Sequence, residues 1–344
     1  MTGYERINCV LRKQPPDRIP VMLHNFMFAV RDCGLTQQQF RSSPETMCRV
    51  FVETSRKYSL DAILTDADTT LEAHALGAGI HEEEDLPAKV IKPVSERLDE
   101  VIDSITADKL NRDSRIRIYL DAIRLIRSQV GGELFIRGNA DQGPFSLAAA
   151  VFGLTNMMTA LTDKKREEPI LRLIDRCYDV HLAFHRLVKD AGADITSFGD
   201  SMASPDLISP KMYRKFAAPF QKRLAEDLRK DGIQTVCHIC GKTDAILEPW
   251  SEIGFAGVEI DYKTDIAKVK GLMQGRAVVF GVIDPSGVFC NGTAETVRSE
   301  TSALLNLFQG KDIVPGSGCA LPAETPPENI RAFTAAAAHW KSAE

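Results

Sequence analysis

An imidazole and a thiol stand two residues apart in the apolar segment IQTVCHIC, at His238 and Cys240. Residues i and i+2 of an extended segment point to the same side, so both side chains could bind one ion. A third ligand of this kind, Cys319, ends a later apolar segment in GSGCALP. One imidazole and two thiolates suit Zn²⁺, and a fourth position left open to substrate or water is typical of catalytic zinc sites.

The same residues also have an ordinary interpretation. A single H-x-C is a weak signal, and cysteine is often a small buried hydrophobe. Cys237 should point away from His238 toward the helices, and we expect it in the core. The other five cysteines show no ligand spacing, and we expect core or surface positions for Cys9, Cys33, Cys48, Cys177 and Cys290. On the residues alone, both interpretations of the H-x-C segment stay open.

The elements that would carry these ligands are eight short apolar runs, most of them followed by a helical pattern. The runs cover residues 18–26, 60–68, 133–141, 193–200, 233–240, 256–262, 277–284 and 312–319. Continuous apolar runs alternating with helices predict an α/β fold with a parallel sheet. Eight units over this length predict one (β/α)8 TIM barrel spanning residues 1–344. A doubly wound sheet is the alternative, but no Gly-rich dinucleotide fingerprint follows the first run.

Two long connections, residues 27–59 and 69–114, contain helical stretches and the acidic run HEEEDLP. We expect additional N-terminal helices and lid loops over one mouth of the barrel. Catalytic groups of TIM barrels lie at the carboxyl ends of the strands. In this chain the carboxyl ends of the predicted strands carry His24, Asp66 and Asp141, together with the residues that we predict to form the active site.

Polar residues at or near these strand ends are the candidates for orienting substrate or supporting the metal ligands. We predict catalytic roles for Asp68, Asp200 and Glu72, and cofactor-binding roles for Asn139 and Asp261. Each could instead be a strand-end or loop hydrogen-bonding residue. His181 and His185 stand four residues apart on a predicted outer helix without a suitable acidic partner, so we expect a packing or surface role for them.

Composition limits the remaining function classes. The chain has 344 residues, 26% of them charged, and a formal net charge of -5, which gives no electrostatic reason to expect nucleic acid or an anionic membrane as partner. No apolar run approaches the roughly 20 residues that span a bilayer. The charged, proline-containing N-terminus lacks the apolar core of a signal peptide. These features predict a cytoplasmic protein.

Several segments resemble a known family. CHICGKTDAILEPWSEIGFAGVEID (237–261) resembles the strand-five to strand-six segment of the uroporphyrinogen decarboxylase superfamily, in its methylcobalamin:coenzyme M methyltransferase-like branch. The segments that resemble the family elsewhere are ERINCVLRKQPPDRIPV (5–21), LTDADTTLEAHALGAGI (64–80) and FGDSMASPDLISPKMYRKFAAPFQKRL (198–224). The resemblance covers nearly the whole chain in order.

The resemblance implies a zinc-dependent methyltransferase, because His238, Cys240 and Cys319 match the zinc ligands of that branch one by one. It also implies a corrinoid (methylcobalamin) carried by a partner protein, since the chain shows no D-x-H-x-x-G corrinoid motif. The small substrate would be a methyl donor or a thiol acceptor, and the chain could also associate with copies of itself as a homo-oligomer.

The alternative is a tetrapyrrole decarboxylase of the uroporphyrinogen type. The arginine-rich segment of those enzymes is replaced here by VMLHNFMFAVRD (21–32), although Asp68 matches the region of their central aspartate. A third hypothesis is a non-catalytic barrel that binds a corrinoid protein, and the presence of all three zinc ligands argues against it.

Overall fold

The computed structural model describes residues 1–341. Its central sheet has seven parallel strands in the spatial order β1-β4-β5-β6-β7-β8-β9, and β2 and β3 form a separate antiparallel hairpin. The strands are β1 Ala62–Thr65, β2 Gly79–His81, β3 Lys89–Lys92, β4 Phe135–Gln142, β5 Ile195–Gly199, β6 Thr235–Ile239, β7 Gly257–Ile260, β8 Val278–Ile283 and β9 Ile313–Ser317. Helices separate the strands of the central sheet, which confirms the α/β barrel class.

The first predicted strand, residues 18–26, forms no regular ladder, and this part of the prediction is wrong. The segment is extended between the two edges of the sheet: Met22 N donates to the Pro315 carbonyl of β9 at 3.3 Å, and Asp61 N beside β1 donates to the Val21 carbonyl at 3.0 Å. Pro20 and Pro315 have no N–H, which removes two ladder donors. A Cβ at Gly316 would lie 2.1 Å from the Met22 oxygen, so only glycine permits this approach.

Helices surround the sheet, and the two predicted long connections are largely helical. The helices are α1 Gly3–Leu11, α2 Phe26–Asp32, α3 Gln37–Arg41, α4 Pro44–Lys57, α5 Leu71–Leu76, α6 Leu98–Ser104, α7 Ser114–Val130, α8 Pro144–Phe152, α9 Leu154–Thr162, α10 Glu167–Asp190, α11 Pro210–Met212, α12 Ala218–Lys230, α13 Leu247–Ser251, α14 Ile266–Met273, α15 Ala294–Phe308 and α16 Pro327–His339. Over residues 1–341 no single helix is long and apolar enough to cross a membrane. Helices α8 and α9 reach that length and apolar composition only when they are taken together, and the chain bends sharply between them.

The inside of the barrel is apolar at one end and polar at the other. At the amino ends of the strands, α1 inserts Ile7 and Val10 into a cluster with Phe135, Val236 and Phe280. Further along the same strands, alternate positions carry polar side chains instead. Because successive residues of a strand alternate between its two faces, the strands present Arg137, Asn139, Ser197, His238 and Glu259 toward the carboxyl end of the barrel.

Candidate metal centre and active site

His238 near the end of β6, Cys240 just after it and Cys319 after β9 form one cluster, in which the three ligand atoms lie within 4.8 Å of one another. His238 Nε2 is 3.0 Å from Cys240 Sγ, and the two sulfurs are 3.8 Å apart. Tetrahedral zinc with Zn–S near 2.3 Å requires its two sulfurs to lie about 3.8 Å apart. The donor set and the separation of the two sulfurs therefore fit a zinc ion. Within residues 1–341 no other group of His, Cys, Asp and Glu meets this spacing.

The imidazole of His238 is oriented by the neighbouring strand. Its Nδ1 lies 3.1 Å from the backbone carbonyl oxygen of Glu259, its register partner on β7. This bond fixes the ring so that Nε2 faces the two sulfurs, as second-shell carbonyls do for histidine ligands of metals. Burial lowers the pKa of His238, but the adjacent Cys240 and Glu259 outweigh it and raise that pKa to about 10. The ring therefore lies beside two groups that stabilise a nearby cation.

The two sulfurs differ in their affinity for a proton. The hydrogen bond from Cys319 and the neighbouring His238 lower the pKa of Cys240, against the effect of burial. Ser201 Oγ contributes by donating to Cys240 Sγ at 3.1 Å. The same hydrogen bond between the two cysteines, together with burial, raises the pKa of Cys319. Cys240 is thus held as a thiolate, which is the form that binds a metal.

A buried network of alternating charge lies beneath this cluster. The carboxylate of Glu259 pairs with Arg137 Nη2 at 2.5 Å through one oxygen and with His24 Nδ1 at 3.2 Å through the other. Burial raises the pKa of Glu259, but Arg137, His238 and His24 outweigh it and hold that pKa well below its usual range. Glu259 is therefore ionised inside the barrel.

His24 joins this network to a second carboxylate. Its Nε2 is 2.5 Å from Asp66 Oδ2, and Asn139 Nδ2 donates to the other oxygen of Asp66 at 2.9 Å. Burial lowers the pKa of His24, whereas Asp66 and Glu259 raise it, and the result is about 9. His24 is therefore a cation held between two carboxyl groups at neutral pH, with both ring nitrogens engaged.

The metal cluster and the charged network line one cavity of about 220 Å³ at the carboxyl end of the barrel. This is smaller than the roughly 300–1,000 Å³ of pockets for drug-sized ligands. Pro87, from the acidic loop between β2 and β3, also lines it, so this loop lies over the mouth as expected of a lid. The polar lining residues are His24, Asp66, Asp68, Thr69, Arg137, Asn139, Gln142, Ser197, Ser201, His238, Cys240, Glu259 and Cys319.

Among the other predicted site residues, Asp68 and Asn139 line this cavity. One oxygen of Asp68 accepts hydrogen bonds from the Thr70 backbone N–H and hydroxyl, and the other pairs with Arg115 Nη2 at 2.5 Å. Asp68 is therefore a carboxylate fixed in place at the cavity wall.

Asp200 and Asp261 lie behind the metal cluster and outside the cavity lining. Asp200 is fully buried and accepts from Ser146 N and Oγ and from Gln221 Nε2. Asp261 Oδ2 accepts from Gly241 N at 2.8 Å, directly after Cys240. The structure thus places both as supports of the loops that carry Ser201 and Cys240.

Glu72 lies outside the cavity lining and is fully buried, with Oε2 at 3.1 Å from His181 Nδ1. His181 Nε2 contacts His185 Nε2 at 3.1 Å, and His185 Nδ1 contacts Thr196 Oγ1 at 2.8 Å. The expectation that these histidines lack an acidic partner is therefore wrong. It failed because Glu72 reaches His181 from 109 positions away in the chain.

Sequence reasoning missed Arg137 and Glu259. A signal was present: each stands two residues before a predicted site residue, Arg137 before Asn139 and Glu259 before Asp261. The period of two along a strand places such pairs on one face. A charged residue within an otherwise apolar strand segment therefore predicts a charged side chain that faces the inside of the barrel.

Comparison with known proteins places the whole chain in a family. The profile described as Uroporphyrinogen decarboxylase (URO-D) matches residues 2–340. The chain belongs to the uroporphyrinogen decarboxylase family. One relative, the methylcobamide:CoM methyltransferase MtbA of Methanosarcina acetivorans, is 29% identical to it over 99% of this chain and 100% of the relative. A uroporphyrinogen decarboxylase of Xanthomonas campestris is 24% identical over 90% of this chain and 88% of the relative.

Solved structures support the same fold. A methyltransferase from Methanosarcina mazei superposes with a TM-score of 0.89 and 25% sequence identity, covering 98% of both chains. A B12-independent methionine synthase from Shewanella superposes with a TM-score of 0.58 at 14% identity, which supports the fold alone. The uroporphyrinogen decarboxylase family resemblance of the sequence, including its methyltransferase-like branch, is confirmed by these matches.

Proposed function

We propose that this protein is a zinc-dependent methyltransferase that moves a methyl group between a corrinoid protein and a small substrate or thiol acceptor. The cluster of His238, Cys240 and Cys319 at the carboxyl end of the barrel carries the proposal. The relatives named methylcobamide:CoM methyltransferase, with which the chain aligns over nearly its full length, support it. A zinc ion held there would act as a Lewis acid that lowers the pKa of a bound thiol.

The residues of this chain have distinct tasks in that reaction. Ser201 and the Glu259 carbonyl orient Cys240 and His238. Asp68 and Asn139 lie on the cavity wall, where they bind and orient the small substrate. The other predicted residues support the site indirectly, because they hold its loops and strands in place: Asp200, Asp261 and Glu72. In the thiol direction, a thiol that has released its proton to solvent would form a sulfur–carbon bond as the methyl–cobalt bond of the partner's corrinoid breaks, and the electron pair of that bond would stay on cobalt.

A partner protein must present the corrinoid at the mouth of the barrel. Three loops around the metal cluster carry exposed apolar side chains: Leu86 is 51% exposed, Leu207 is 47% exposed and Tyr262 is 41% exposed. A contiguous apolar patch beside a site would mark a protein-binding surface. We assign this rim, defined by Leu86, Leu207 and Tyr262, to the corrinoid protein.

The test is the zinc content of the purified protein, with Cys240→Ala and Cys319→Ala as variants and Cys290→Ala as the control. We expect near-stoichiometric zinc in the parent and the control, and loss of zinc in both ligand variants. Methyl transfer between methylcobalamin and thiols should follow the zinc content. A parent that takes up no zinc after supplementation would contradict the proposal and favour the decarboxylase alternative, for which Asp68 would be the residue to test.

A further inference from the structure

One side chain from another element makes three contacts with the acidic loop over the cavity. Arg41, on α3, donates from Nη1 to the Leu86 carbonyl at 2.9 Å and from Nη2 to the Glu83 carbonyl at 3.0 Å. Its Nε lies 3.5 Å from Glu82 Oε1. All three contacts reach residues 82–87, which we call the lid. Two of them bind backbone oxygens, so they hold the course of the loop itself.

A further contact of the lid leads to the wall of the cavity. Glu82 Oε1 also lies 3.3 Å from Nε of Arg115, on α7. The other two nitrogens of Arg115 bind inward, Nη1 to Thr70 Oγ1 at 2.9 Å and Nη2 to Asp68 Oδ2 at 2.5 Å. Asp68 lines the cavity. One guanidinium group therefore joins the lid to a carboxylate inside the barrel.

These contacts differ in their exposure to water. The side chain of Glu82 is 42% exposed, whereas those of Arg41 and Arg115 are 7% and 14% exposed. An exposed ion pair contributes little to stability and is weakened further by salt. Hydrogen bonds from a shielded cation contribute more. The lid is therefore held mainly by Arg41, and Glu82 adds a weaker contact that is sensitive to salt.

The lid limits access to the cavity beneath it. Pro87 lines that cavity together with Cys240 and Cys319. The preceding residue, Leu86, is exposed, and its backbone carbonyl is one of those that Arg41 binds. The contacts that Arg41 makes therefore keep Pro87 over the two cysteines, and a bulky molecule could reach these cysteines only after the contacts break.

We propose that the lid is a gate, which Arg41 holds closed over the cavity and which the contacts of Glu82 close further in a salt-sensitive way. Opening of the lid admits bulky molecules to the cavity. Because Arg115 binds both Glu82 and Asp68, the closed lid and the cavity wall share one cation. The gate acts on whatever enters the cavity, so this inference goes beyond the proposed function and does not depend on it.

The first experiment measures how fast a fluorescein maleimide labels the cavity cysteines, Cys240 and Cys319, in the full-length protein stripped of metal by a chelator. Cys290 lies outside the cavity lining and is the internal reference. We expect labelling of the cavity cysteines to be at least about tenfold faster in Arg41→Met, because two hydrogen bonds from a charged group are lost. In Glu82→Gln we expect an acceleration of roughly two- to fivefold, the range for an exposed ion pair.

Glu83→Gln is the matched control, because it makes the same change on the adjacent residue, whose side chain pairs with Lys89 instead. In the parent and in this control, raising the salt from about 0.05 M to about 0.5 M should accelerate labelling, because screening weakens the contacts of Glu82. Glu82→Gln should lack this salt response, an effect that general destabilisation would not produce. Circular dichroism verifies that Arg41→Met is folded, and Glu82→Gln gives the test if it is not.

A second arm uses the protein as purified. Gln38 N lies in the first turn of α3, where N–H groups have no partner within the helix, and it donates to the lid carbonyl of Glu84 at 2.9 Å. Its exchange with deuterium should be faster in Arg41→Met and Glu82→Gln, and unchanged in Glu83→Gln. Labelling at the same rate in all variants, or exchange of Gln38 that does not respond to either lid variant, would overturn the gate. Neither arm measures methyl transfer, so failure of the gate and failure of the proposed function are separate results.

Discussion

Glu259 balances two cations inside the barrel. It contacts Arg137 and His24 while its own backbone carbonyl orients His238, so one residue supports both the charge and the geometry of the cavity. Replacing one partner of a buried ion pair leaves the other charge uncompensated. The consequences of changing Glu259 should therefore far exceed those of changing a surface carboxylate.

We expect Glu259→Gln to lower the free energy of unfolding by roughly 3–5 kcal/mol, the usual cost of breaking a buried pair. Urea unfolding measures this change. The matched control is Glu295→Gln, since Glu295 pairs with Arg298 at the surface, and exposed pairs contribute only about 0–1 kcal/mol. Similar losses in the two variants would show that the buried network does not stabilise the fold.

The raised pKa of His24 predicts that the stability of the protein depends on pH. Its pKa in the folded protein is about 9 because Asp66 and Glu259 stabilise the imidazolium against burial, whereas an unfolded histidine has a pKa of about 6.5. The raised pKa gives a stabilisation that is complete below about pH 6.5 and is lost as the pH rises through about 9. Across this range, His24 should contribute a decline on the order of 3 kcal/mol to the stability that urea unfolding measures. In His24→Gln this component of the decline should be missing, and an unchanged pH profile would contradict the assignment.

At the scale of the elements, the turn after β6 holds the metal ligands in place. Gly241 follows Cys240 with φ +89, and a Cβ there would lie 2.1 Å from Asp206 Oδ2. Its N–H donates to Asp261, so backbone, glycine and carboxylate together fix the turn. The position of Cys240 thus depends on a residue that has no side chain.

We expect Gly241→Ala to reduce both the zinc content and the thermal stability of the protein. The control is Gly232→Ala, because Gly232 also has a positive φ of +72 but has open space where a Cβ would be added. That control should show only the conformational cost of about 1–2 kcal/mol and full zinc content. Zinc content measured on both variants separates the steric effect from the conformational one, and equal zinc in the two would contradict the role of the turn.

Much of the sheet could be predicted because apolar runs mark β1 and β4 to β9, and their ends carry the metal ligands. The first run, 18–26, looks the same in sequence, but its ladder is prevented by Pro20 and by Pro315 far along the chain. The pairing of Arg137 with Glu259 spans 122 positions, and that of Glu72 with His181 spans 109. Such contacts are set by the closed barrel, and no local pattern in the sequence contains them.

At the scale of the whole molecule, zinc should stabilise the folded state. A ligand that binds only the folded state adds about 4 kcal/mol when its concentration is a thousandfold above Kd. We expect chelation to lower Tm and zinc to restore it in the parent and in Cys290→Ala, with no response in Cys319→Ala. Calorimetry with and without chelator measures this, and a Tm that is insensitive to zinc in every variant would argue against the site.

The apolar rim predicts a defect that depends on the partner. Leu207→Glu should slow methyl transfer with the corrinoid protein, because it places a charge in the proposed contact, and should leave transfer with free methylcobalamin unchanged. Stopped-flow absorbance of the corrinoid measures both rates on one preparation. Loss of both rates, or of neither, would remove the rim from the docking surface.

The ligands come from two parts of the chain that are 79 residues apart. During synthesis, a nascent chain can display His238 and Cys240 long before the third ligand leaves the ribosome. The two halves of the metal site then meet only when β9 docks between β8 and the extended segment at residues 19–25. Tight metal retention thus requires synthesis to have passed Cys319, and a chain truncated before Cys319 would be released without it.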